Sequence, residues 1–281
     1  MREKAQHFDP RQTMQADTFE VFHYRQPKPC GVEVHHHDFY EVYYLLDGQV
    51  EYWVEGQIIR MTPGDLLLIN PMELHRPIVA PDSPVYERIV LWINGEFLQS
   101  MSWNGVSLEG CFDPKLPNLV RPTSSETPAL RSALSELVHE QYSQEFGSQL
   151  YARGLLQLVL VQLNRIALHS RQVRQERQMS ALVQQVLRYI ADNLPQDISL
   201  DGLASEFFVS KYHLSHAFSR EVGVSIYRYV MLRRLLMARQ LLQEGMPAGQ
   251  VCAACGFSDY TSFYRAFRAE YGISPGKLSG Q

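Results

Sequence analysis

The first third of the chain alternates short apolar runs with turn-forming pairs. EVYYLL, VEYWVEG, QIIRM, DLLLIN and YERIVLWI are rich in Val, Ile, Tyr and Trp, and Asp47-Gly48, Glu55-Gly56 and Pro63-Gly64 punctuate them. Short strands at this spacing predict a small sandwich or barrel reaching to about Ile93. Beyond it the apolar period lengthens to that of a helix. Over 127–143 the stripe is Leu130, Leu134, Leu137 and Val138; over 148–169, Leu155, Leu158, Val159, Gln162 and Ile166 lie near one face. Two amphipathic helices must bury their apolar sides. The barrel is one candidate surface and a second copy of the chain the other, the very apolar run 155–163 speaking for a dimer interface.

The remaining third carries one pattern twice. Leu200, Leu203, Ala204 and Phe207 recur as Ala248, Val251, Cys252 and Cys255 at an offset of 48; Leu214, Phe218, Gly223 and Ser225 recur as Phe263, Phe267, Gly272 and Ser274 at 49. Each copy reads as short helix, tight turn, second helix, at about 200–222 and 248–271. Ser210 caps the first second-helix, and Ser258 or Asp259 caps its counterpart. Between the copies, 225–244 predicts one long helix stopped by Gly245 and Pro247. With Leu214 and Phe218 facing inward, Tyr212, Ser215, His216 and Ser219 take the opposite face; Thr261, Tyr264, Arg265 and Arg268 are their equivalents, with Tyr260 in the first turn. Such side chains on an exposed helix read base edges and phosphates in a major groove. Two such helices entering successive grooves would sit about 34 Å apart.

Composition changes this picture in one respect. With 281 residues, 45% apolar and 20% charged, the chain is a soluble globular protein of roughly two domains, and a disordered or collagen-like chain is excluded. Its most lipid-like stretch, 155–168, is interrupted by polar residues and falls short of the roughly 18 to 20 needed to span a bilayer. Four cysteines and a polar N-terminus do not make a secreted disulfide framework, so a cytoplasmic location is expected. The net charge of −4 argues against nucleic acid only as an average: residues 1–170 carry −8 and residues 171–281 carry +4. Arg233, Arg234 and Arg239 on the long helix add to the basic side. The polar RQVRQERQMS, 171–180, reads as a linker between an N-terminal domain, 1–170, and a C-terminal one, 181–281.

The C-terminal strings resemble a known family. GFSDYTSFYRAFRAEYGISP, 256–275, and LASEFFVSKYHLSHAFSREVGVS look like the two helix-turn-helix units of AraC/XylS-family bacterial transcription regulators, the resemblance covering about 180–278. It implies DNA contacts by Lys211, Tyr212, Ser215, His216 and Arg220 in the first unit and by Tyr260, Thr261, Tyr264, Arg265 and Arg268 in the second, Arg220 and Arg268 being placed for phosphate. Phe208, Gly249 and Leu278 depart from the family pattern. Cys252 and Cys255 resemble half a zinc site, but the repeat maps them onto Ala204 and Phe207, which makes them buried apolar residues.

The N-terminal half holds different chemistry. His35-x-His37-x3-Glu41-x6-Gly48, followed by Pro63-Gly64-Asp65 and His75, resembles the two motifs of cupin barrels. Strand alternation sends His35, His37, Glu41 and Tyr43 to one face and His36 to the surface. The long spacing from Pro63-Gly64 points His75 toward the rim. Three readings stay open: an effector pocket built from His35, His37, Glu41, Tyr43 and His75; a metal site of His35, His37, Glu41 and His75; or structural histidines. Trp92 and Arg25 are secondary pocket candidates. The resemblance favours the effector pocket, with a sugar or sugar derivative as ligand and no cofactor.

The sequence therefore predicts a two-domain α+β protein: a cupin-like β-barrel with C-terminal helices, then an all-α double helix-turn-helix domain. The expected function is an effector-controlled, sequence-specific transcription regulator, an activator acting as a homodimer on double-stranded DNA, with RNA polymerase a further partner and no enzymatic activity. The competing class is a cupin metalloenzyme with a helical interaction module.

Overall fold

The computed structural model describes residues 12–26, 32–79, 85–169, 176–177 and 179–278. Cys30 and most of the expected linker lie outside them. The chain divides into two compact units, Met1–Arg177 and Gln178–Gln281.

The N-terminal unit begins with β1 (Phe19–Gln26), β2 (Tyr40–Asp47), β3 (Val50–Val54), β4 (Gln57–Met61), β5 (Leu66–Ile69), β6 (His75–Val79) and β7 (Tyr86–Ile93). Helix α1 (Gly95–Ser100), a 3-10 turn (Leu108–Phe112), β8 (Leu119–Val120), α2 (Thr127–Glu140), α3 (Ser148–His169) and β9 (Glu176–Arg177) follow. The strands form two antiparallel sheets, ordered β1-β7-β2-β5-β8 and β6-β3-β4-β9. The expected barrel is thus an open two-sheet structure, each sheet keeping its own edge strands. Part of the expected linker is strand: Glu176 pairs with Ile59 and Arg177 with Ile58.

Strands β2 and β5 within the five-stranded sheet are buried on both faces, which explains why EVYYLL and LLLI read as continuous apolar runs. Val42, Tyr44, Leu66, Leu68, Ile89 and Leu91 pack under Leu130, Leu134 and Leu137 of α2 and Leu156, Val159, Leu160 and Leu163 of α3. The alternate residues Tyr43, Leu45, Leu67, Ile69 and Val90 face Val50, Tyr52 and Ile59 of the other sheet. Helix α3 therefore spends most of its apolar run inside its own unit. Leu158, expected on the buried side, is exposed, whereas Leu156, Leu160 and Leu163 are fully buried.

The C-terminal unit is all helical: α4 (Ala181–Asp192), α5 (Leu200–Glu206), α6 (Lys211–Val222), α7 (Ile226–Gln243), α8 (Ala248–Ala254), α9 (Tyr260–Tyr271) and α10 (Pro275–Leu278). Its duplication extends to single hydrogen bonds. Val209 N–H donates to the Ala204 carbonyl at 3.0 Å, and Phe257 N–H to the Cys252 carbonyl at 3.1 Å, closing the same turn 48 residues apart. Gly223 ends α6 and Gly272 ends α9, both left-handed. Cys252 and Cys255 are buried free thiols held above the ordinary thiol value by burial, Cys255 at about 11, in keeping with their mapping onto Ala204 and Phe207.

Candidate functional site

Helices α6 and α9 are built alike. Ser210 accepts from the His213 N–H at 3.2 Å, and Asp259, not Ser258, caps α9 by accepting from the Ser262 N–H at 2.8 Å. Leu214, Ala217 and Phe218 bury one side of α6; Phe263 and Phe267 bury that of α9. The opposite side of α6 leaves Lys211, Tyr212, His216 and Arg220 exposed and Ser215 half-buried. On α9, Tyr260, Thr261, Arg265 and Arg268 are exposed and Tyr264 is half-buried. Two of these cations have neighbours: Lys211 Nζ lies 2.7 Å from Asp201 Oδ1, and Arg220 donates to Glu221 at 3.2 Å. The Lys211 pair and the Arg220 guanidinium lie in solvent, where exchange for a phosphate costs little.

Three arginines of α7 serve the fold instead. Arg234 donates to the carbonyls of Leu194 at 3.1 Å and Gln196 at 2.6 Å, tying α7 to the α4–α5 loop. Arg239 lies 5.2 Å from the Tyr271 ring centre, and Arg228 pairs with Glu270 at 3.0 Å. Arg234 and Arg239 thus lose the DNA-facing weight that the charge pattern gave them.

In the N-terminal unit, His35, His37, Glu41 and His75 come together and all are buried. His75 is at the centre, not at a rim, because His35 and His75 exchange both backbone hydrogen bonds, at 3.1 and 3.0 Å. Ring centres lie 4.3 Å apart for His35 and His75 and 4.8 Å for His37 and His75. The ligand-capable atoms of His37, Glu41 and His75 fall within 4.8 Å of one another. Each ring is oriented through Nδ1: His35 bonds the Glu33 carbonyl at 2.9 Å, His37 that of Phe39 at 2.9 Å, and His75 that of Glu73 at 2.8 Å. A carbonyl only accepts, so Nδ1 carries the proton in each ring.

Burial disfavours the charged imidazoles, holding His35 at about 4 and His75 well below the ordinary value. Burial also opposes charge on Glu41, but His37 at 3.4 Å, His35 and the Trp92 indole N–H at 2.9 Å outweigh it and hold the carboxyl below its usual range. Trp92 is therefore a direct partner of Glu41 and shares the interior with Phe39, 4.7 Å away between ring centres. Tyr43 lies two residues beyond Glu41 on the same face, where its hydroxyl bonds Tyr86 and its ring meets Tyr52 edge-on. Two further expectations fail. His36 is buried rather than at the surface, and Arg25 is mostly exposed beside Glu87 at 3.6 Å, away from the cluster.

Two family models match: an AraC-like ligand binding domain over residues 21–160 and a helix-turn-helix domain over residues 203–281. The chain is an AraC-family transcription regulator. Its relatives include the arabinose operon regulatory protein of Salmonella typhimurium, 26% identical over 220 residues, 77% of this chain and 74% of that protein. The transcriptional activator RhaS of Escherichia coli is 23% identical over 249 residues, covering 86% and 85%. Among solved structures, ToxT from Vibrio cholerae aligns over 94% of this chain and 98% of its own, with 11% identity and a TM-score of 0.37. The AraC-family regulator is accordingly a DNA-binding protein with a ligand-binding domain, and the metalloenzyme alternative is set aside.

Proposed function

We propose that this regulator reads its operator through α6 and α9, using Tyr212, Ser215 and His216 in the first helix and Tyr260, Thr261, Tyr264 and Arg265 in the second as base contacts. Lys211, Arg220 and Arg268 serve as phosphate contacts. The observation that carries this reading is the repeated geometry: two capped helices, each with an aromatic-anchored inner side and an exposed hydrogen-bonding outer side.

The N-terminal unit takes a small polar effector at His35, His37, Glu41, Tyr43 and His75. A sugar or sugar derivative is favoured because relatives are named for the arabinose operon and as the activator RhaS. The exposed stripe Leu150, Gly154 and Leu158 on α3, spaced by four, supports a homodimer through that helix. Effector binding then changes how a dimer presents its two DNA-binding units, which requires different effector affinity in the two arrangements. We read the regulator as a cytoplasmic activator that also meets RNA polymerase at its promoters.

Fluorescence anisotropy with promoter fragments adjoining the regulator's own gene, with and without a panel of monosaccharides, tests the whole. A monosaccharide that binds the protein and shifts DNA affinity or half-site spacing is the expected result. Ligands that bind without altering DNA affinity, spacing or transcription would sink the allosteric part.

A further inference from the structure

Around its turn, the first helix-turn-helix unit builds a groove from residues that the second unit does not repeat. Helix α4 ends at Asp192 and α5 at Glu206, and the groove, about 510 Å³ in volume, is lined by Arg188, Tyr189, Asp192, Glu206, Phe207 and Phe208. Tyr189 and Phe207 are half-buried and meet edge to face, ring centres 5.8 Å apart. Phe208 stands almost wholly in solvent, on left-handed backbone that glycine would adopt without strain. The repeat puts Ala254, Cys255 and Gly256 where the first unit has Glu206, Phe207 and Phe208, so the shared scaffold does not require this combination of acid and rings.

The charge of the groove is equally particular. A carboxylate at a helix C-terminus adds to the negative end of the helix dipole, and α4 and α5 each end on one, with no basic residue in the last turn of either. Neither Asp192 nor Glu206 makes an ion pair among the described residues, and Arg188, one turn before Asp192, offsets only one of the two charges. On a segment that carries +4, the groove is a negative spot that repels phosphate. We propose that it docks a protein partner through an arginine or lysine side chain, whose cation lies against the aromatic rings and meets Asp192 and Glu206. A small organic cation would leave most of the Phe208 ring in water, whereas a protein surface covers it, and exposed aromatic anchors beside a charged pair are what protein interfaces use. The inference rests on the reading of α6 and α9 as the DNA-contacting helices, since a groove that repels phosphate is then left for protein.

Full-length regulator with photo-reactive p-benzoylphenylalanine in place of Phe208, irradiated in cells that carry its own promoter, tests this. The expected product is a cross-link to one protein, with an attachment site, mapped by mass spectrometry, within a few residues of an arginine or lysine. Glu206→Arg should cut the yield about tenfold, and glutamate in place of the partner's mapped basic residue should restore it. Asp192→Asn combined with Glu206→Gln should also lower the yield while keeping or slightly raising the melting temperature, because both changes relieve the helix ends; a merely structural role would move the two together. DNA affinity of Phe208→Ala and of the charge variants, measured by anisotropy, should stay within about twofold of the parent protein. No cross-linked protein, as a small cation in the groove would give, a product indifferent to Glu206→Arg, attachment to a second copy of the regulator, or DNA affinity lost in Phe208→Ala would overturn the proposal. Failure of the cross-link with DNA affinity intact leaves the reading helices standing, and failure of DNA binding in the parent protein removes those helices without touching the cross-link.

Discussion

The two helix-turn-helix units use one backbone and solve it with different residues. At the turn between their helices, Phe208 and Gly256 occupy equivalent positions with φ of 54° and 77°, both left-handed. Phe208 points into solvent, 94% exposed, whereas a Cβ on Gly256 would lie 2.6 Å from the Pro195 carbonyl oxygen and 3.0 Å from Arg234 Nη2. The turn demands the conformation in both units; only in the second does packing also demand the absence of a side chain. Outer faces differ as well. His216 and Ser219 in α6 stand where α9 carries Arg265 and Arg268. Duplication has preserved the scaffold while packing and partner have set residue identity.

Gly256→Ala should break this comparison most severely. Left-handed backbone costs a non-glycine residue about 1 to 2 kcal/mol, and the overlap with Pro195 adds to it, for a total of roughly 3 kcal/mol or more. Phe208→Ala in the first unit should change stability by less than about 1 kcal/mol, since the backbone conformation is already borne by a side chain and the ring is in solvent. Urea unfolding followed by far-UV circular dichroism measures both, because the C-terminal unit is wholly helical. A loss of only about 1 to 2 kcal/mol in Gly256→Ala would show that the turn, not Pro195, sets the requirement.

Arg234→Met comes next. It removes two charge-assisted bonds to the carbonyls of Leu194 and Gln196, and a loss of about 2 kcal/mol in stability is expected. The two bonds tie the helix between the two units to the loop that precedes the first. Stability should fall while the salt dependence of DNA binding keeps its slope; a slope lowered by about 1 would return Arg234 to the phosphate contacts.

The helix-turn-helix units were legible in sequence because their constraints are local. A 48-residue offset, two caps and two glycine stops place every helix. Contacts that close over distance were not legible. Spacing from Pro63-Gly64 measures position along the chain, but His75 is placed by its bridge to His35 and by the Val54–His75 pairing of β3 with β6. The Trp92–Glu41 and Arg234–Leu194 bonds likewise join residues 51 and 40 positions apart. Strand β6, HRPIV, hides as a strand because Arg76 and Pro77 interrupt its pattern, which an edge strand tolerates. On α3, apolar residues nearly all round leave the inward stripe ambiguous, and the packed structure selects Leu156, Leu160 and Leu163 over Leu158.

The reading faces offer a third contrast. Arg265→Ala should cost about 1 to 3 kcal/mol in DNA affinity and relax specificity at one base position if the guanidinium contacts a base edge. His216→Ala, at the equivalent site of α6, should cost less, since an imidazole cannot make the forked pair of bonds that arginine makes to guanine. Affinity across an operator in which each position is varied measures both. Uniform weakening by Arg265→Ala on every sequence would reassign it to phosphate, and a larger loss at His216 would make α6 the dominant reader.

The smallest effect is the most diagnostic of what Phe208 is for. Replacing it by glycine relieves left-handed strain worth about 1 to 2 kcal/mol but gives the unfolded chain about 0.5 to 1 kcal/mol more entropy to lose, so the two largely offset. An exposed ring contributes little burial to upset that balance. Phe208→Gly should therefore shift stability by under about 1 kcal/mol, toward the glycine-bearing turn of the second unit, and leave DNA affinity unchanged. A strained backbone that carries an exposed aromatic ring gains nothing within its own unit. If transcription falls in this variant while stability and DNA affinity hold, the ring is a contact for another protein surface, and the first turn differs from the second in partner as well as in packing.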